Sequence, residues 1–196
     1  MSTARRGRRP GAPDTRAAIL AAARERFANV GYGPTSVRTI AAEAGVDPAL
    51  VHHYFGSKRD LFVAALALPV DPREVLAPVV AAGADGAGER LLTALLGVWD
   101  DEERRLPLLA FARSVLEVSG QHLLQDGFLT VVIGPVLVDL GLDDVDRRLP
   151  FVASQLGGLI LMRYVLELEP LASMPAADVV TVVGPTIQRY LTGPLP

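Results

Sequence analysis

The chain contains no cysteine, which excludes disulfide bonds, thiolate metal sites and cysteine nucleophiles. Histidine is nearly as scarce. His52, His53 and His122 show no HExxH or comparable ligand spacing, so a metal site would have to be assembled from distant carboxylates. There is no glycine-rich phosphate loop. The contiguous run Asp100-Asp-Glu-Glu103 spreads its carboxylates around a helix start, which suits stabilisation of the helix dipole and not an acid/base pair. These gaps argue against an enzyme, and no cofactor or metal is expected. The most apolar stretch, Val152 to Leu168, is interrupted by Gln155 and Arg163 and bounded by Glu167 and Glu169, a poor membrane span. The segment Met1 to Pro10 has arginines but no apolar run behind them, as a secretory signal would require. A cytoplasmic protein without a membrane partner is expected.

What is present is apolar and unevenly charged. Half of the 196 residues are hydrophobic, enough for one sizeable core or a small head on a larger body. The overall charge of -3 hides an asymmetry: residues 1–60 carry 10 Arg/Lys against 5 Asp/Glu, whereas residues 61–196 carry 9 against 17. A basic head and an acidic remainder would orient the molecule on a polyanion, with the body held away from phosphates.

The apolar residues recur at helical spacing and no segment alternates as a strand does. Residues 1–13, rich in Arg, Gly and Pro, are expected to form a flexible basic arm. Asp14 or Thr15 caps a first helix carrying Ile19, Ala23, Phe27 and Val30, which Gly31-Tyr-Gly-Pro34 ends. Thr35 or Ser36 caps a second, in which Val37, Ile40, Ala41 and Ala44 form one face. Gly45 then turns the chain with positive φ, and Asp47-Pro48 places an N-cap and a first-turn proline at the start of a third helix over about 48–54. Ser57 caps a fourth. Prolines 69, 72 and 78 predict a kinked or split connection. Later helices fall from Glu89 onward and at about 121–139, 145–168 and 176–192, with kinks at Gly134-Pro135 and Gly184-Pro185. The expectation is an all-α protein of about nine helices: a three-helix head over 14–60, and a larger helical body over 61–196.

Two short helices around a glycine turn, in the basic part of the chain, make a helix-turn-helix pattern. The segment from about Thr15 to Phe62 resembles the DNA-binding head of the tetracycline-repressor (TetR) family of bacterial transcriptional regulators. The resemblance rests on Ile19-Leu-Ala-Ala-Ala, Phe27, Gly31-Tyr, Thr35-Ser-Val-Arg-Thr-Ile-Ala, Ala44-Gly-Val, His53-Tyr-Phe-Gly-Ser-Lys58 and Leu61, all in one register. It implies a DNA-binding regulator, a repressor released by a small apolar or amphipathic effector, whose body binds that effector and dimerises. The partners implied are a near-palindromic double-stranded DNA operator, the effector and a second copy of the chain.

Within the head, the resemblance assigns the segment Asp47–Tyr54 to the major groove. Pro48, Ala49 and Leu50 have no hydrogen bonds to offer and would work by shape and by contact with thymine methyls. His52 stands where the family places an aromatic that touches phosphate and base, and His53 and Tyr54 flank it. Tyr54 is expected to offer its hydroxyl to phosphate while its ring packs on the first helix. Arg38 is the residue expected to reach a guanine edge with its bidentate fork. Ser36, Thr39 and Lys58 are expected at phosphates, and Arg5, Arg6, Arg8 and Arg9 along the backbone or in the minor groove.

In the body, Trp99, Phe111, Phe128 and Met162 are candidates to line an apolar cavity, with Arg113, Gln121, His122 and Gln155 to orient an effector. Each of the apolar four also suits an ordinary core. The last two long helices supply the expected dimer contacts: Leu156, Gly157, Leu159, Ile160, Val179, Val183 and Ile187, the glycine allowing close approach. A helical protein-interaction module without sequence-specific DNA binding is the competing reading, and it leaves the basic head unexplained.

Overall fold

The structure is a computed structural model and describes residues 14–116 and 122–195. The basic arm over 1–13 and Gln121 lie outside the described residues. The described residues contain ten α-helices and no strand. In the head these are α1 (Thr15–Val30), α2 (Val37–Glu43), α3 (Pro48–Phe55) and α4 (Lys58–Ala65). In the body they are α5 (Pro72–Ala81), α6 (Ala87–Trp99), α7 (Glu102–Leu116), α8 (Gly134–Asp139), α9 (Val145–Ile160) and α10 (Ala176–Thr192). A π-helical stretch, Leu123–Ile133, runs into α8, and another, Leu161–Val165, extends α9.

Local chemistry explains the head's boundaries. Asp14 accepts from the backbone N–H groups of Arg16 and Ala17, and α1 ends where Gly31 takes φ of 91°. Ser36 and Thr39 form a reciprocal capping box on α2. Gly45, at φ 67°, turns the chain, and the Asp47 side chain caps α3 with Pro48 in its first turn. Ser57 caps α4. Ile19, Ala23, Phe27, Ile40, Ala41, Val51, Phe55, Leu61 and Phe62 close a common core, so α4 packs with the three-helix head. Val131, from the body, is part of this same cluster, and Phe111 and Phe128 pack against it.

The ten helices accord with the expected count of about nine, and the additional one lies at the start of the body. The link at 69–78, expected to be broken by proline, becomes the regular helix α5 from Pro72 onward, because Asp71 accepts from the Arg73 N–H and Pro72 occupies the first turn, where its missing donor costs nothing. Gly184-Pro185 does not interrupt α10. Instead Gly184 meets α6: a Cβ on Gly88 would stand 2.6 Å from the Gly184 carbonyl and from the Gln188 backbone nitrogen. Only glycine lets the two helices cross this closely. Gly134 marks the change from π- to α-helix.

Candidate nucleic-acid interface and body cavity

The turn at Gly45 sets α3 across α2 with Ile40, Ala41 and Val51 inward. The remaining faces point out. Arg38, Ala49, Leu50, His52, His53 and Tyr54 are exposed, on adjoining parts of α2 and α3, while Pro48 is half-buried. Leu50, at 38% exposure, is an apolar side chain held in water on the outer face of α3. His52 Nδ1 lies 3.0 Å from the Gly56 carbonyl oxygen. Since that oxygen can only accept, Nδ1 carries the proton, and Nε2 faces outward. A neutral ring then offers Nε2 as an acceptor to a base amino group; only an imidazolium would donate from it to phosphate.

Four residues sit differently from their sequence expectation. The Tyr54 ring does not pack into the head: it is 44% exposed and meets His53 edge-on, with centroids 5.5 Å apart. Its neighbour Phe55 is the buried member, with the Arg16 guanidinium 5.2 Å from its ring centroid. The Ser36 and Thr39 hydroxyls lie 2.6 Å apart and serve the helix cap, leaving less capacity for phosphate. Lys58 donates to the Gly33 carbonyl at 3.3 Å and stands 4.2 Å over the Tyr32 ring. Burial lowers its pKa, and its charge is tied to the turn between α1 and α2.

The body holds a cavity of about 450 Å³, partly open to solvent, between α5, α6, α7, the π-helical stretch and α9. Trp99, Phe111 and Phe128 line it, with Leu91, Leu95, Leu129 and Val152 among the aliphatic walls. Trp99 stacks on Tyr164 at 5.0 Å between centroids. Met162, expected in the lining, is exposed, and the expected orienting groups are elsewhere: Arg113 and His122 are exposed, Gln155 sits beside Ser154 on α9, and none of these four lines the cavity. Helical periodicity places them on the wrong side of their own helices. Among the described lining residues the polar side-chain atoms are the Ser154 hydroxyl and the Trp99 indole nitrogen, and the hydroxyl already donates to the Phe151 carbonyl at 2.8 Å.

Arg163 was not anticipated as a buried group. It is 7% exposed and donates to the Leu171 and Met174 carbonyls, at 2.5 and 2.8 Å, anchoring the segment between α9 and α10. Asp100 accepts from the Tyr164 hydroxyl at 2.8 Å and lies 3.7 Å from Arg163. Burial and this hydrogen bond raise the pKa of Tyr164. Arg148, also buried, holds Asp143 and the Tyr190 and Gly193 carbonyls in the same way.

The expected dimer contacts divide. Leu159, Val179 and Ile187 are buried within the single chain and are core, not interface. Leu156 and Ile160 line the cavity half-buried, and Val183 packs half-buried against the core. Gly157 is exposed. The outward apolar residues of these helices are instead Phe151 and Met162 on and just beyond α9, and Val182 on α10. An amphipathic stripe alone does not say which of its apolar edges faces the core.

A helix-turn-helix head on an all-helical body that holds an apolar cavity defines a DNA-binding, ligand-responsive class of protein. Comparison with known proteins narrows the class: residues 19–65 match the bacterial regulatory proteins of the tetR family, and residues 85–191 match the tetracyclin repressor-like C-terminal domain. The chain belongs to the TetR family. A crystal structure of a TetR-family regulator from Streptomyces coelicolor is 42% identical, covering 95% of this chain and 99% of that one, with a TM-score of 0.52. The transcriptional regulator HbdR of Aromatoleum sp. is 32% identical over 115 residues, 56% of this chain. The transcriptional regulator BetI of Rhizobium meliloti is 43% identical over 54 residues, 28% of this chain. The chain spans 49% and 27% of the lengths of these two curated relatives. No helix among the described residues is long and apolar enough to cross a membrane.

Proposed function

We propose that the protein is a cytoplasmic transcriptional repressor that binds a near-palindromic operator as a homodimer and releases it when a small apolar molecule enters the body cavity. The observation that carries this reading is the pairing, in one chain, of an outward recognition face on α2 and α3 with an apolar cavity of about 450 Å³, a size suited to a drug-like ligand. Arg38 reads guanine, Ala49 and Leu50 pack on thymine methyls, and His52 meets a base amino group. His53, Tyr54 and Lys58 contribute to the phosphate contacts. One recognition helix covers too few base pairs for useful selectivity, and two-fold pairing sets two heads on successive major-groove faces. Relatives named as transcriptional regulators support the same reading.

Gel shift of random genomic fragments at low and moderate salt tests the DNA arm. Sequence-selective retention is expected as salt rises, whereas a merely basic surface releases every fragment together. Thermal-shift screening of a metabolite and drug library tests the ligand arm. Ligands that stabilise the protein yet leave operator affinity unchanged at saturation would exclude release by an effector.

A further inference from the structure

Among the described residues lining the cavity, Trp99 holds the one side-chain hydrogen-bond donor still free to act. Ser154 has a single hydroxyl proton, already given to the Phe151 carbonyl, so toward a ligand it can only accept. An indole N–H can only donate. The Trp99 ring stacks on Tyr164 at 5.0 Å, and no described residue supplies its N–H with an acceptor. The nitrogen is not sealed in the packing either: the enclosed side-chain nitrogens without a partner, among the described residues, are Nε of Arg26, Arg59, Arg90 and Arg163. Trp99 is 4% exposed and lines the cavity, so the space that its N–H meets is the cavity. The indole is also held from behind, because Tyr164 donates its hydroxyl to Asp100 at 2.8 Å and keeps the supporting ring in place.

We propose that the ligand is an uncharged, largely apolar molecule bearing a carbonyl or ether oxygen that accepts from the Trp99 indole N–H, which makes Trp99 the specificity-determining residue of the cavity. The inference rests on the ligand-responsive reading above and narrows its ligand class. A ligand entering the cavity expels the water around this N–H, and a donor left unmatched loses more than a hydrogen bond gains. A pure hydrocarbon leaves it unmatched; a carbonyl or ether oxygen restores the bond. A carboxylate would accept from it too, yet no ionisable side chain stands among the described lining residues, so any charge would leave water without a counter-charge. An ammonium group adds the further fault of having nothing to accept. Phe111 and Phe128 on the same walls suit a ring in the ligand's body.

Three naphthalenes of similar shape test this: 2-acetylnaphthalene, which has a carbonyl; 2-ethylnaphthalene, which lacks it; and 2-naphthoate, which is ionised near neutrality. Affinity is read by displacement of N-phenyl-1-naphthylamine, an uncharged dye that fluoresces in apolar surroundings. The contact itself is read in the proton–nitrogen NMR spectrum, where the sole tryptophan gives a single indole signal. The acetyl compound is expected to bind about tenfold more tightly than the ethyl compound, the worth of one net hydrogen bond. The naphthoate is expected to bind about a hundredfold more weakly than the acetyl compound. The indole proton should move downfield with the acetyl compound and not with the ethyl one. Trp99→Phe should abolish the preference for acetyl over ethyl; should that variant fail to fold, the wild-type NMR shift decides. Equal affinity of the acetyl and ethyl compounds with an unmoved indole signal overturns the Trp99 contact. Naphthoate bound as tightly as the acetyl compound overturns the uncharged class. Either result leaves the ligand reading standing, whereas absence of binding by the dye and by all three naphthalenes overturns that reading as well.

Discussion

Gly127, in the π-helical stretch of the body, lies directly against the ring of Phe62 in α4: a Cβ on Gly127 would stand 2.6 Å from Phe62 Cε2. Phe62 in turn meets Phe27 and Tyr32 edge-on, at 5.1 and 5.2 Å between centroids. Lys58 stands over the Tyr32 ring. The residue after Gly127, Phe128, lines the cavity. A shift of this cavity wall therefore presses on the core of the DNA-binding head through close-packed rings, which transmit displacement because they have little free volume.

Gly127→Ala is expected to destabilise the protein by about 1–3 kcal/mol, the usual cost of overpacking, and to change operator affinity. Gly97→Ala is the control: it lies in α6 with no atom within 4 Å of an added Cβ, and should be neutral or stabilising by up to about 1 kcal/mol. Urea unfolding of both variants reads the difference. Equal stabilisation in the two would mean that the Phe62 contact yields freely.

Arg38→Ala is expected to cost about 1–3 kcal/mol on the preferred operator and little on random DNA, because a lost base contact removes discrimination. Binding isotherms on both DNAs separate the cases. An equal loss on both would assign Arg38 to phosphate.

Arg73 joins the start of α5 to α4 through ion pairs with Asp60 and Asp71, at 2.5 and 2.7 Å. Asp60 is held below the ordinary carboxylate range first by the Ser57 hydroxyl and then by Arg73, and Asp71 first by Arg73. Depressed folded values mean that this stabilisation is complete above the unfolded aspartate pKa, about 4, and is lost as pH falls through the lower folded values. Arg73→Gln should therefore unfold at lower temperature than wild type near neutrality, by roughly 0.2–1 kcal/mol per exposed pair. The gap should close below about pH 4. A gap that stays constant down to pH 2 would show that the loss is one of packing.

Trp99 is the sole tryptophan and lines the cavity, so intrinsic fluorescence reports on occupancy. A long-chain brominated alcohol should quench its emission along a saturating curve. Quenching that rises linearly with concentration would indicate collisions at the surface and no bound ligand.

Local signals carried the head. The caps at Asp14, Ser36, Asp47 and Ser57 and the turn at Gly45 act within three or four residues, so the sequence states them directly. Helix α5 was obscured because a proline reads as a breaker at Pro78 and as a starter at Pro72; the Asp71 cap starts the helix, and packing of Leu76 and Val79 into the body carries it past Pro78. Tyr54 illustrates the same limit in the head: its aromatic character fits a core or a contact surface, and in the folded head it lies outward.

The sequence by itself determined that the chain is helical, where its basic end lies, and which short segment makes a helix-turn-helix, because capping, helical period and net charge are properties of neighbouring residues. Only the tertiary structure decided which side of each body helix is core. It buried Leu159, Val179 and Ile187 within one chain, left Phe151, Met162 and Val182 outside, turned Arg113 away from the cavity and drew Arg163 inward. An apolar residue looks the same from its own helix whether a core, a ligand or a second subunit covers it. What covers it depends on the crossings that Gly88, Gly184 and Gly127 permit between segments distant in the chain.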